Sequence, residues 1–144
     1  MRVAIGNDHS GVEYKNELVK YMKELGVEVV NFGTDTLDSV DYPDYAKMVC
    51  NAILNKEVDY GVLICGTGIG ISITANKIPG IRAALCYNEY MGSITRAHND
   101  SNVIAFGARV LGIEVAKSTL KAFLETEFEG GRHQRRVDKM ECGC

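Results

Sequence analysis

The segment best equipped for chemistry in this sequence is Cys65-Gly66-Thr67-Gly68-Ile69-Gly70. It joins a short apolar run to a stretch with helical spacing, and its alternating glycines leave backbone amides uncovered by side chains. Such amides, together with a helix N-terminus, form an anion-binding nest. A cysteine beside them can supply a thiolate that acts as a base or a nucleophile. No Asp or Glu lies between Gly61 and Asn88, so a carboxylate of this loop cannot be the base.

Simpler interpretations of the same loop stay open at this point. A glycine-rich connection can be only a tight structural turn, and a lone cysteine is often a small buried apolar residue. The loop has neither the Gly-Lys-Ser/Thr ending of a P-loop nor the spacing of a dinucleotide fingerprint. A nucleotide site is therefore unsupported.

Basic and titratable side chains supply the remaining chemistry. His9, His98 and His133 all fall in polar segments. For any one of them a satisfied or exposed histidine is the commoner case, but three in polar segments of an α/β sheet shift the balance toward acid–base work. Arg132 and Arg136 are four residues apart, so on a helix they share a face that suits a phosphate or carboxylate. A solvated basic helix end is the alternative interpretation. Because the net charge is -3, the cluster indicates a small phosphorylated ligand rather than a nucleic acid.

A thiol base, an anion nest, histidines and an arginine pair together fit proton abstraction next to a carbonyl. The nest would stabilise the enediolate that forms, which is usually the largest contribution in such catalysis. Cys142 and Cys144 stand one residue apart with no second pair, so we expect no structural metal site. The sequence has no dinucleotide fingerprint that would indicate an organic cofactor.

The elements that must position these residues alternate along the chain. Apolar runs typical of buried strands cover 3–5, 27–32, 62–65, 81–86 and 103–106, and helical spacing covers 11–25, 43–56, 68–77, 89–99, 112–126 and a stretch from about 132. This alternation predicts an α/β fold, a three-layer αβα sandwich around a Rossmann-like five-stranded parallel sheet. We expect the strand order 2-1-3-4-5 and ligand binding at the carboxyl ends of the strands.

Length and composition narrow the class of protein. The 144 residues fit one domain over 1–144 that ends in the helix from about 132. No secretory signal and no transmembrane segment is visible, and five scattered cysteines are typical of reduced thiols. We therefore expect a cytoplasmic protein with no membrane partner.

Five motifs, in this order along the chain, resemble the ribose-5-phosphate isomerase B family, whose superfamily includes galactose-6-phosphate and allose-6-phosphate isomerases. The motifs are Gly6-Asn7-Asp8-His9-Ser10-Gly11, Asp41-Tyr42-Pro43, Ile64 to Gly70, Arg96-Ala97-His98-Asn99-Asp100 and Gly130-Gly131-Arg132-His133. The resemblance spans residues 1 to about 138. It implies a metal-free aldose–ketose isomerase of the non-oxidative pentose phosphate pathway, which interconverts ribose 5-phosphate and ribulose 5-phosphate.

The resemblance also implies a role for each matching residue. Cys65 would move the C2 proton, Thr67 would assist at the neighbouring oxygen, and His98 would open the furanose ring with Asn99 beside it. Substrate contacts would come from Asp8 and Tyr42 at the sugar, from the amides of Gly66, Gly68, Ile69 and Gly70 at the enediolate oxygen, and from His9, Arg109, Arg132 and Arg136 at the phosphate. In this family the site lies between two subunits, which implies an obligate homodimer or a dimer of dimers.

Two other functions remain as alternatives. The substrate can be a six-carbon sugar phosphate such as allose 6-phosphate, because sequence does not measure the distance from Cys65 to the arginines. The chain can also be a non-catalytic phosphosugar- or nucleotide-binding module, since a fold does not determine a function.

Overall fold

A five-stranded parallel sheet forms the centre of the computed structural model, which describes residues 1–141. Its strands are β1 (Arg2–Asn7), β2 (Glu28–Asn31), β3 (Tyr60–Cys65), β4 (Ala83–Leu85) and β5 (Val103–Gly107). Each hydrogen-bonded pair of strands is parallel. The predicted α/β class with five parallel strands is therefore confirmed.

The predicted strand order is wrong at one edge, because the sheet runs β2-β1-β3-β5-β4. Asn102 explains why β5 lies inside. Its backbone oxygen accepts a hydrogen bond from Gly61 of β3 at 2.9 Å, and its side chain bonds the backbone of Gly80 and Arg82, just before β4, at 2.8 Å each. All five residues of β5 are buried, whereas β4 has three half-buried residues. The apolar strand thus takes the interior position and the short strand takes the edge.

Six α-helices connect and cover the strands of residues 1–141. They are α1 (Val12–Glu24), α2 (Tyr42–Leu54), α3 (Ile69–Asn76), α4 (Glu89–Asn99), α5 (Ile113–Glu125) and α6 (Arg132–Glu141). One face of the sheet packs against α1 and α5, and the other packs against α2 and α3. α4 lies against α5 with Gly92 under the backbone of Thr119, and α6 packs on α4. In this part of the chain every helix falls short of the length and apolarity needed to cross a bilayer.

The parallel arrangement divides the molecule into two edges with different contents. All five strands end at one edge, which we call the carboxyl edge, and all begin at the opposite amino edge. Helices that link parallel strands run back from the carboxyl edge to the amino edge. The start of α3 is therefore at the carboxyl edge, while the end of α4 is at the amino edge.

Candidate active site

The loop from β3 into α3 places Cys65 at the carboxyl edge of the sheet. Cys65 is the last residue of β3 and is 5% exposed. The backbone N–H of Gly68 donates a hydrogen bond to its Sγ at 3.2 Å. A backbone donor at a helix N-terminus stabilises negative charge on the atom it faces. This contact is the arrangement that a thiolate base needs.

Two glycines of this loop are required by their surroundings. Gly68 has φ +77°, and a Cβ there would lie 2.5 Å from Leu85 Cδ1 and 2.8 Å from the carbonyl carbon of Phe106. A Cβ on Gly70 would lie 2.6 Å from the ring of Tyr42. The loop is thus pressed against β5 on one side and covered by Tyr42 on the other. Its backbone lies at the edge of the sheet, where the Ile69 N–H donates to Thr67 Oγ1 at 3.2 Å.

Polar groups from the neighbouring strands surround the loop. A Cβ built on Gly66 would lie 3.7 Å from Arg109 Nη1 and 3.7 Å from Ser10 Oγ, so both groups stand beside its backbone. Arg109 is held there because its backbone N–H donates to the Gly66 carbonyl at 3.0 Å. The carboxylate of Asp8 accepts hydrogen bonds from the N–H and hydroxyl of Ser10. A guanidinium, a hydroxyl and a carboxylate therefore line the space beside Cys65.

His9 is oriented by the loop that follows β2. The backbone N–H of Val40 donates to His9 Nδ1 at 3.2 Å, so neutral His9 carries its proton on Nε2. That loop is in turn attached to α1 by Lys15, a fully buried lysine that donates to the Thr34 carbonyl at 3.2 Å and pairs with Asp35. A buried charge without a partner is costly in free energy, so the contacts of Lys15 with Thr34 and Asp35 stabilise the loop in this position.

At the amino edge, His98 belongs to a separate cluster at the end of α4. Its imidazole stacks on that of His133, with ring centroids 4.0 Å apart and planes 8° from parallel. Glu129 Oε2 lies 3.7 Å from His98 Nε2 and 3.5 Å from His133 Nε2. His133 is buried, and burial, followed by the nearby positive charges of His98 and Arg132, lowers its pKa. His133 therefore binds a proton less readily than a free imidazole does.

The turn that carries His98 and Asn99 is held by two arginines. Asp100, with φ +46°, ends α4 in a left-handed conformation that is uncommon for a residue with a side chain. Arg82 Nε donates to the carbonyls of Asn99 and Asp100 at 3.1 and 3.0 Å. Arg96 donates to the carboxylate of Asp100 at 2.8 Å. These contacts satisfy carbonyls that have no partner within the helix.

The His98–Glu129–His133 cluster has the residue types of a metal site but not its geometry. The three ligand atoms lie within 4.8 Å of one another. A histidine binds a metal along a lone pair in the plane of its ring. Because the two rings are stacked face to face, their lone pairs lie in nearly parallel planes and do not converge on one ion.

The structure separates the sequence-predicted residues into two groups. The first, at the carboxyl edge, contains Asp8, His9, Tyr42, Cys65, Gly66, Thr67, Gly68, Ile69, Gly70 and Arg109. The second, at the amino edge, contains His98 and Asn99 at the end of α4 and Arg132 and Arg136 on α6, which packs there. Arg96 bonds the hydroxyl of Tyr60, the first residue of β3, whereas Cys65 is the last. Five strand steps of about 3.3 Å separate these edges by roughly 16 Å.

Comparison with known proteins identifies the family. A family model described as Ribose/Galactose Isomerase matches residues 3–140. This chain belongs to that family. It is 51% identical over 137 residues to ribose-5-phosphate isomerase B of Escherichia coli K12, an alignment that covers 95% of this chain and 92% of the relative. It is 41% identical over 141 residues to D-erythrulose-4-phosphate isomerase of Pectobacterium atrosepticum, which covers 97% and 93%.

A solved structure shares the fold of this Ribose/Galactose Isomerase chain over nearly its full length. Ribose-5-phosphate isomerase B of Clostridium thermocellum superposes with a TM-score of 0.96 at 49% identity, covering 98% of this chain and 95% of that chain. Structures that agree this closely at this identity share strand order and loop positions. The interior position of β5 is therefore shared with that structure.

Cysteines elsewhere in this family member differ from Cys65 in their surroundings. Cys50 and Cys86 are fully enclosed in the two cores, and burial raises the pKa of each thiol to about 12. They are neutral thiols at physiological pH. Cys142 and Cys144, to which the sequence assigned no role, lie outside the residues that the structure describes.

Sequence reasoning missed three residues that the structure joins to these clusters. Ser10 and Glu129 lie beside predicted residues, and Arg82 holds the Asn99 turn. Ser10 stands within a quoted motif, so its position next to Asp8 was a usable signal. No sequence signal pointed to Glu129 or Arg82. Glu129 lies in the turn between α5 and α6, Arg82 lies just before β4, and both are distant in sequence from His98.

Proposed function

We propose that this chain is an aldose–ketose isomerase that interconverts D-ribose 5-phosphate and D-ribulose 5-phosphate. The observation that carries the proposal is the N–H of Gly68 donating to Cys65 Sγ at 3.2 Å, in a glycine-rich loop beside Arg109. The family and the names of its similar members support the same reaction class. Cytoplasmic action in the non-oxidative pentose phosphate pathway, without a metal or organic cofactor, is part of the same proposal.

In the proposed reaction the thiolate of Cys65 removes the proton from C2 of the open-chain aldose. The electron pair forms the C1–C2 double bond, and the carbonyl oxygen becomes an enediolate oxygen held by the amides of Gly66, Gly68, Ile69 and Gly70. Thr67 assists proton transfer between the two oxygens. Return of the proton to C1 gives the ketose, so C1 is reduced, C2 is oxidised and no external oxidant is needed.

The substrate is held at both ends in this proposal. Asp8 and Tyr42 contact the sugar hydroxyls. His9 and Arg109 meet the phosphate from the side of Cys65, and Arg132 and Arg136 meet it from a second subunit. Guanidinium groups bind phosphate through paired, charge-assisted hydrogen bonds. His98, with Asn99 beside it, opens the furanose ring before the proton is moved.

We further propose a homodimer with shared active sites, with a dimer of dimers as the larger form. The support is the separation of about 16 Å of strand between the edge that carries Cys65 and the edge that carries His98. One substrate cannot contact both groups of the same chain, whereas two copies related by a two-fold axis can face their opposite edges to each other.

The decisive assay measures conversion of D-ribose 5-phosphate by the purified protein, with and without a chelator. Cys65→Ala is expected to lower kcat at least about a hundredfold, because general-base catalysis contributes about 10²–10⁴-fold. Cys50→Ala is the matched control and is expected to retain its rate, since Cys50 is a neutral thiol in the core. A folded Cys65→Ala protein with the wild-type rate would refute the assigned base.

The length of the sugar is the open choice within this reaction class. One similar protein is named for a four-carbon ketose phosphate, D-erythrulose 4-phosphate, which makes that substrate the second candidate. Comparing kcat/KM for four-, five- and six-carbon sugar phosphates separates the candidates. We expect the highest value for ribose 5-phosphate. Tight binding with no solvent exchange of the C2 proton would instead support a non-catalytic binding protein.

A further inference from the structure

Glu129 lies beside the two stacked imidazoles at the amino edge, and the proposed reaction gives it no role. Its Oε2 is 3.7 Å from His98 Nε2 and 3.5 Å from His133 Nε2. The backbone N–H of Glu129 donates to the carbonyl of Ala97 at 3.0 Å, which fixes this residue against the end of α4. The carboxylate is therefore attached to the same helical turn that carries His98.

The stacked ring beneath His98 adds a second restraint. His133 is buried, and its backbone N–H donates to the carbonyl of Gly130 at 3.0 Å. Gly130 and Gly131 have φ +65° and +55°, a conformation that returns the chain under α4 immediately after Glu129. Because the His133 ring lies 4.0 Å below His98 and nearly parallel to it, it restricts rotation of the His98 side chain.

These contacts match the needs of a ring-opening acid. When the furanose of ribose 5-phosphate opens, the bond between C1 and the ring oxygen breaks, the ring oxygen takes a proton, and the C1 hydroxyl loses one. A protonated imidazole carries an N–H on both nitrogens. One of them can point at a carboxylate, which fixes the orientation of the ring, while the other faces the sugar.

We propose that Glu129 is a positioning residue for His98, holding its imidazole over His133 in the orientation that protonates the ring oxygen of the sugar. This inference rests on the proposed function, because it assigns Glu129 to the ring-opening step of that reaction. Glu129 acts through His98 and has no contact of its own with the reacting atoms.

The test separates ring opening from proton transfer. D-ribulose 5-phosphate is an open chain, because the C5 hydroxyl that would close its furanose ring carries the phosphate. Exchange of its C1 proton with solvent in D₂O therefore requires Cys65 but no ring opening. In Glu129→Gln we expect kcat for D-ribose 5-phosphate to fall about tenfold, less than the about 10²–10⁴-fold that acid–base catalysis supplies, because His98 itself is still present. The C1 exchange rate is expected to stay within about twofold of wild type, since removing a positioning residue affects only its own step.

Matched variants make the outcome decisive. Glu127→Gln changes an exposed glutamate two residues away and is expected to leave both rates unchanged. His98→Asn gives the full effect of losing the ring-opening group. An equal loss of both rates in Glu129→Gln, or no loss of either, overturns the role of Glu129. A wild-type protein that does not convert ribose 5-phosphate would instead refute the proposed function.

Discussion

The two edges of the sheet carry two half-sites that are built in different ways. The half-site at the carboxyl edge is built mainly from backbone. An amide of its own loop donates to Cys65, and Gly68 and Gly70 allow β5 and Tyr42 to pack closely against that loop. The half-site at the amino edge is built mainly from side chains. Arg82 bonds the turn that follows His98, and Glu129 and His133 lie against the His98 ring. A backbone nest suits a diffuse oxyanion, whereas a titratable side chain suits a proton that must be delivered to one atom.

The separation of the two edges also means that neither half-site is sufficient by itself for the proposed isomerase reaction. Parallel strands bring their carboxyl ends together, so every loop after a strand contributes to one edge. The end of α4 falls at the other edge for the same reason. The proposed site is therefore complete only in the proposed homodimer, where a second copy supplies the other half-site.

The largest expected effect comes from mixing two defective chains. Cys65→Ala and His98→Asn are each expected to be strongly impaired alone. When they are co-expressed and purified together, half of the dimers are mixed and each mixed dimer has one intact site of two, so about a quarter of the wild-type activity returns. The measurement is turnover of ribose 5-phosphate by the mixture. Activity no higher than that of the separate variants would show that both groups act within one chain.

A substitution at Gly68 tests the claim that the carboxyl-edge half-site is built from backbone. In Gly68→Ala the left-handed backbone costs about 1–2 kcal/mol, and contact with Leu85 and Phe106 adds the cost of overpacking, about 1–3 kcal/mol. We therefore expect urea denaturation to show a free energy of unfolding lower by about 2–5 kcal/mol.

Gly26 offers a matched control for this substitution. It has the same φ of +77°, yet a Cβ there would have no atom within 4 Å. Gly26→Ala should therefore lose only the conformational part, about 1–2 kcal/mol. Equal losses in the two variants would mean that packing against β5 does not hold the Cys65 loop.

The smallest effect concerns the side-chain chemistry of the amino edge. The pKa of His133 is lowered by burial, then by His98 and Arg132, with a further contribution from Arg136 and an opposing one from Glu129. The unfolded chain therefore binds a proton at this residue more readily than the folded chain does. As the pH falls below about 6.5, the ordinary pKa of histidine, stability should decrease.

His133→Phe keeps a flat ring for stacking and removes this titration. We expect its Tm to fall less than that of the wild type between pH 7.5 and pH 5.5, where most carboxylates remain ionised. Thermal unfolding at the two pH values provides the measurement. Identical pH dependence in both proteins would place the sensitivity elsewhere in the chain.

Much of the fold could be predicted from the sequence because its signals are local. Apolar runs bounded by glycine or asparagine predicted five strands, and helical periodicity predicted the helices between them. The order of the last two strands could not be predicted in this way. It depends on Asn102, whose side chain and backbone join β3 to the residues before β4 across the sheet.

The sequence by itself determined the chemistry available to this protein: a cysteine at the start of a glycine loop, polar histidines and an arginine pair, all visible as short motifs. Only the tertiary structure decided how that chemistry is distributed. The direction of each strand and helix, which no motif encodes, puts Cys65 and Arg109 at one edge and His98 and Arg132 at the other. Glu129 lies beside His98 because its backbone bonds Ala97, and two glycines with positive φ then bring His133 under the same turn.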